Sequence, residues 1–222
     1  MKVLVVAPHM DDEVLGMGGT IAKRVERGDQ VCVCVVANRA YGHRYLDFAI
    51  HEEQEAARRA QQILGYQELR LLNLPDEQLD GKLIDVIVPL ETVYVELRPD
   101  VVYTCHGGDI NQDHRAIFQA MIVVCRPATS HRPNRLLCYE VPSSTDQAPP
   151  FREWQFMPNL YEHLSPAWLE KKVRAMQCYG RELRPFPHPR STEGIVTYAR
   201  HRGMEAGAEA AEAFVVVRDI RA

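Results

Sequence analysis

Two short segments hold most of the residues in this chain whose types and spacing suit bond-breaking chemistry. The first is Pro8-His9-Met10-Asp11-Asp12-Glu13, followed at once by Val14-Leu15-Gly16-Met17-Gly18-Gly19. His9 and Asp12 stand three positions apart, so in a tight turn running into a helix both side chains can face one cation while Asp11 takes another direction. The second is Cys105-His106-Gly107-Gly108-Asp109-Ile110-Asn111-Gln112-Asp113-His114-Arg115, in which Asp113 suits a helix cap or first-turn acid and His114 offers a further imidazole. Together His9, Asp12 and His114 form a His-Asp-His set with room for a water, the arrangement of a catalytic rather than a structural zinc site. Taken singly, the acids only complement a helix N-terminus and His114 is only a cap. The pairing is what argues for a site.

Competing motifs fail on spacing. In a dinucleotide fingerprint G-x-G-x-x-G the third glycine falls at Ile21, and two aspartates would face the incoming pyrophosphate. The run His51-Glu52-Glu53-Gln54-Glu55 lacks the second histidine of a metalloprotease helix and reads as a solvated acidic face paired with Arg58 and Arg59. Six cysteines occur without a C-x-x-C pair, and they read as free, mostly buried thiols. Further along, Phe186-Pro187-His188-Pro189-Arg190-Ser191 places a histidine between two prolines, stiff enough to aim an imidazole at a reacting atom. Arg190 supplies a planar fork able to clamp a polar substrate. His43, Arg44 and Tyr45 follow the second strand and are weaker candidates for lining the same pocket.

The elements that must position these residues alternate. Apolar runs at Val3–Ala7, Val31–Ala37, Leu69–Leu72, Val101–Thr104, Leu136–Val141 and Phe214–Val217 read as strands. Helical periodicity falls at about 12–27, 47–64, 81–97, 113–125, 166–179 and 192–202. Strands alternating with helices of this length predict an α/β fold: one Rossmann-like three-layer domain over 1–222, with a mainly parallel sheet covered by helices on both faces. Both chemical segments then lie at strand-to-helix turns on the carboxyl edge of the sheet, where such folds bind ligands. The last third, from about 143, is irregular and proline-rich and begins with a long loop.

Composition narrows the class further. With 222 residues, 46% hydrophobic and 25% charged, the chain is a globular protein with ample core. A formal net charge of −4 gives no field to draw it onto nucleic acid or an anionic membrane. The apolar run at the N-terminus is shorter than a secretory or membrane segment, which predicts a cytoplasmic location.

The first segment resembles the P-H-P-D-D-E signature of the LmbE-like, or PIG-L-like, zinc-dependent N-deacetylases, with Met10 in place of the usual proline. The second resembles that family's H-P-D-H motif, written here as Asn111-Gln112-Asp113-His114. The likeness covers most of the first 140 residues as a topology. It implies one Zn2+ per chain, or another divalent metal, bound by His9, Asp12 and His114, with Asp11 as general base and Asp113 behind the ligands. It also implies hydrolysis of an N-acetyl group on an amino sugar or sugar conjugate, with zinc-activated water as nucleophile. Asn111 stands where the family has a histidine that in some members stabilises the oxyanion. His188 is the candidate to replace it, with His106 behind. Two alternatives stay open: an amidase acting on a non-sugar N-acyl conjugate, and a metal-free small-molecule binder of the same fold. The expected partner is a small N-acetylated molecule, and the buried sheet leaves room for a homo-oligomer.

Overall fold

The computed structural model describes residues 1–38, 47–128 and 131–221. Seven strands form one sheet in the order β3-β2-β1-β4-β5-β7-β6. The strands are β1 (Lys2–Ala7), β2 (Gln30–Ala37), β3 (Glu68–Leu74), β4 (Val101–Cys105), β5 (Arg135–Tyr139), β6 (Leu160–His163) and β7 (Ala211–Asp219). Between them run α1 (Asp12–Glu26), α2 (Asp47–Leu64), α3 (Leu83–Leu97), α4 (Gln112–Val124), α5 (Pro166–Cys178) and α6 (Thr192–Ala206). The first five strands pair in parallel, with Val3 opposite Val31 on one side of β1 and opposite Val101 on the other. Val3, Leu4, Val5 and Val6 are wholly buried, as an unbroken apolar strand covered on both faces must be.

Strand order reverses between β1 and β4. From β1 the chain winds outward through β2 and β3, then returns to β4 and winds the other way through β5. The crevice at that switch, outside the carboxyl ends of the strands, is where open α/β sheets bind ligands. The turns after β1 and β4 are the two chemical segments, so topology alone sets them side by side.

Two features depart from the sequence reading. The apolar run at Phe214–Val217 belongs to a strand that lies antiparallel to β5, and it also pairs antiparallel with β6, a strand the periodicity does not reveal. The acidic face expected on α2 is only partly solvated, because Glu53 turns inward and is buried. Elsewhere the limits shift by a few residues; α6 continues to Ala206, where Gly207 ends it at φ +68°.

Close packing explains the glycines after the first motif. A Cβ on Gly16 would collide with the Tyr139 ring and come within 2.9 Å of Glu140 O, and one on Gly19 would lie 2.6 Å from Leu164 Cδ1. Helix α1 is broken at Met17 (φ −150°, ψ 25°). The amides freed by the break are satisfied by Glu212 of β7, which accepts from Gly19 N at 3.0 Å and Thr20 N at 2.6 Å. Lys172 of α5 neutralises that buried carboxylate at 2.6 Å. No helix among the described residues is long and apolar enough to cross a membrane.

Candidate active site

Asp12 lies at the centre of the crevice. Its Oδ2 is 3.2 Å from His9 Nδ1 and 3.3 Å from His114 Nε2, and the two imidazole centroids are 5.3 Å apart. Each imidazole turns its other nitrogen toward a second carboxylate. His9 Nε2 faces Asp76 Oδ1 at 2.8 Å and Asp113 Oδ2 at 3.3 Å, and His114 Nδ1 stands 3.1 Å from Asp109 Oδ2. A carboxylate behind a ligating imidazole fixes its tautomer and raises its basicity.

All of these side chains are buried, and their charges hold one another. Burial works against a charged His9, but the Asp113, Asp12 and Asp76 carboxylates outweigh it and raise its pKa well above the usual value. Burial likewise opposes a charged His114, which Asp12 and Asp109 lift to about 9. Asp12 is driven well below the carboxylate range, against its burial, by the charges of His114 and His9. Asp12 Oδ1 is buried and has no hydrogen-bond partner among the described residues. A buried carboxylate oxygen without a donor is costly unless a cation meets it.

The donors fit a metal. Ligand atoms of His9, Asp12 and His114 all lie within 4.8 Å of one another. A second group, His9 with Asp76 and Asp113, is equally compact. Three of its four carboxylate oxygens accept backbone amides: Glu77 N donates to Asp113 Oδ2 at 2.7 Å and to Asp76 Oδ1 at 2.9 Å, and Leu79 N donates to Asp113 Oδ1 at 3.1 Å. This second group meets His9 through Nε2 alone, whereas in the first a single carboxylate, Asp12, faces both imidazoles.

Asp11 is wholly buried and has a left-handed backbone at φ 105°, a sparsely populated region for a residue with a Cβ and worth about 1–3 kcal/mol of strain. Glu13 accepts the Asp11 amide at 3.2 Å and the Tyr179 hydroxyl at 2.8 Å. Burial pushes the Glu13 carboxyl up to about 7. Arg190 Nη1 reaches Asp11 Oδ2 at 3.1 Å and Glu182 Oε2 at 2.6 Å, while its Nε donates to Ser143 Oγ at 2.8 Å. The proline-rich segment thus delivers its arginine onto the first motif.

The other sequence candidates have different positions. Asn111 caps α4, its side chain accepting from Asp113 N at 2.8 Å, so its oxygen is occupied by the helix. His188 Nδ1 accepts the Arg190 amide at 3.1 Å, and burial followed by the Arg190 and Arg184 charges lowers its pKa. His106 sits edge-on to Phe156 with ring centroids 5.3 Å apart, and burial lowers its pKa. Arg44, with His43 and Tyr45, lies outside the described residues. Sequence reasoning assigned no role to Asp76, Asp109, Glu182 or Tyr179. Asp109 stood in plain view inside the second motif, but Asp76 follows β3 in a Leu-Pro-Asp-Glu turn that carries no chemical signal.

An open, mainly parallel sheet with histidines and aspartates gathered at its switch point defines the LmbE-like deacetylase fold. The chain belongs to the PIG-L family: residues 4–125 match the model described as GlcNAc-PI de-N-acetylase. It is 31% identical over 181 residues to the uncharacterized deacetylase YaiS of Escherichia coli K12, covering 79% of this chain and 88% of that protein. Among solved structures it resembles the conserved protein TT1542 of Thermus thermophilus, with TM-score 0.81 and 25% identity over 99% of this chain and 96% of that one. The 4-carboxy-2-hydroxymuconate hydratase GalB of Pseudomonas putida KT2440 shares the fold at TM-score 0.78 and 21% identity, covering 100% of this chain and 98% of that one.

Proposed function

We propose that this chain is a zinc-dependent N-deacetylase that removes the acetyl group from an amino sugar or sugar conjugate. The observation that carries the reading is the gathering of His9, Asp12 and His114, whose ligand atoms lie within 4.8 Å of one another, beside the buried Asp12 Oδ1, which has no donor among the described residues. Two imidazole nitrogens and a carboxylate suit zinc, which His9 would hold through Nδ1 and His114 through Nε2, the nitrogens turned toward Asp12. Bound there, the metal supplies positive charge that acidifies water and polarises an acyl oxygen.

The chain's own residues handle the protons and the geometry. Asp11, adjacent to the ligands and clamped by Arg190, takes a proton from the attacking water as the C–O bond forms. It returns that proton to the departing nitrogen as the C–N bond breaks, so amide and water become acetate and free amine. Because His188 Nδ1 accepts an amide proton, the neutral imidazole carries its own proton on Nε2, and His188 serves as the donor to the oxyanion. The family description and the deacetylase name of the E. coli relative support an N-acetylated sugar as substrate. Because a hydratase shares the fold, the activity rests on the site and not on the architecture.

Metal analysis combined with release of free amine from a panel of N-acetylated amino sugars tests this reading. About one zinc per chain is expected. A chelator should abolish amine release. Asp11→Asn should keep the metal and lose about 10²–10⁴-fold in kcat. Full turnover by Asp11→Asn, or amine release indifferent to the chelator, would refute it.

A further inference from the structure

Beyond β5, one strand along the edge from the second motif, lies a cavity of about 560 Å³. That volume is in the range of pockets that enclose whole small molecules. Its walls include Trp154, Phe156 and Tyr198 together with Pro149 and Pro150, and its floor holds Glu140 and Arg202. None of the residues assigned above to metal binding or proton transfer lines it.

The two sites adjoin. Thr145 lines the cavity and donates its hydroxyl to Asp109 Oδ2 at 2.6 Å, so one residue serves both. Phe156 faces the cavity and packs edge-on against His106, which follows β4. Neighbouring strands are about 4.8 Å apart, which puts the end of β5 about 10 Å along the edge from that of β1. A two-ring glycoside covers that separation.

Charge and hydrogen bonding restrict what fits. Arg202 is committed on all sides: Nε and Nη2 each lie 2.7 Å from Glu140, Nη1 lies 2.8 Å from Glu205, and its guanidinium stacks 5.5 Å from the Phe156 centroid. Asp146, the second lining carboxylate, accepts the Tyr198 hydroxyl at 2.6 Å. An anionic group would therefore meet two carboxylates, one arginine already in use and the His201 imidazole, which itself faces Glu205 Oε1 at 3.6 Å. A polyol can hydrogen-bond to Gln155, Thr197 and the remaining carboxylate lone pairs without breaking these pairs, but it brings no π face to the aromatic walls. A flat apolar ring breaks none of them and gains the aromatic faces.

We propose that this cavity receives an uncharged aromatic ring joined to the N-acetylated sugar, so that the preferred substrates are aryl glycosides. The proposal rests on the deacetylase reading and adds the class of aglycone to it. The test compares phenyl and methyl glycosides of N-acetylglucosamine, in both anomers, with N-acetylglucosamine 1-phosphate, reading free amine from the metal-loaded enzyme. The phenyl glycoside should exceed the methyl glycoside by about tenfold in kcat/KM, mainly through KM, and the phosphate should be poorer than either. Trp154→Ala should bring the phenyl-to-methyl ratio toward one. Met157→Glu, at an exposed lining position that the core does not need, should do the same if the first variant fails to fold. A ratio near one in the unaltered enzyme, a preference for the phosphate, or a ratio retained in both variants overturns the proposal alone. No amine from any of the three compounds overturns the deacetylase reading, and this proposal with it.

Discussion

Replacing Asp109 with asparagine exchanges a single oxygen for an amino group at a wholly buried position with no spare acceptor. Asp109 accepts the Asn111 amide at 2.8 Å, the Thr145 hydroxyl at 2.6 Å and the Ser144 hydroxyl, and it faces His114 Nδ1 at 3.1 Å. Thr145 Oγ1 takes the Val141 amide at 2.9 Å, so its own proton must go to Asp109. An amino group on the Oδ2 side meets that proton and the His114 ring, and it drives the His114 proton to Nε2, removing the lone pair turned toward Asp12. On the Oδ1 side it strands the Asn111 amide, at about 1–3 kcal/mol. Groups behind metal ligands are worth about 10–100-fold in affinity, or about 1.4–2.7 kcal/mol. Zinc affinity by chelator competition should fall in that range, and unfolding of the metal-free variant in urea should show the stability loss. Thr145→Val, which keeps the carboxylate, should cost less. A folded Asp109→Asn protein that binds zinc within about twofold of the unaltered chain would refute the assignment of Asp109 as the group that sets the His114 tautomer.

Gly16→Ala should destabilise the fold by about 1–3 kcal/mol, because the Tyr139 ring it would strike is fully buried and its hydroxyl is tied to Val6 O at 2.8 Å. A urea midpoint within error of the unaltered protein would show that the packing yields. The buried thiols predict an alkaline weakness. Burial pushes Cys32 and Cys125 up to about 12 from an ordinary value of 9.0, and Cys34, Cys105 and Cys138 also rise. Above pH 9 the unfolded chain gives up these protons while the folded chain keeps them, so stability falls as pH rises from 9 toward 12. Urea midpoints at pH 8 and pH 10 should differ accordingly, and at pH 8 a thiol reagent should react quickly only with the partly exposed Cys178. Rapid labelling of a second cysteine in the native protein would contradict this.

The parallel half of the sheet was legible because a strand buried on both faces writes itself as a continuous apolar run, and helices of crossover length separate those runs. The edge beyond β5 was not. Leu160–His163 is short and half-buried, and nothing in Phe214–Val217 records that the strand runs antiparallel. His9, Asp12 and His114 could be paired on paper because both motifs follow strands that end at the same crevice. The carboxylates behind the imidazoles were harder to see. Asp76 reaches His9 only through the path of the loop after β3, and Arg190 reaches Asp11 across 179 residues, contacts that tertiary structure sets and spacing does not encode. Asn111 looked like a vacant catalytic position and is a helix cap.

The carboxylate that completes the broken first helix comes from residue 212, while the residues that the helix helps to aim, His9 to Glu13, lie far earlier in the chain. During synthesis, the segment carrying His9 to Glu13 therefore leaves the ribosome long before the group that finishes α1. Until β7 arrives with Glu212, the amides of Gly19 and Thr20 have only water to turn to. Removing β7 should therefore impair zinc binding at the first motif, and a fragment ending before β7 should be handled by chaperones as an unfinished chain.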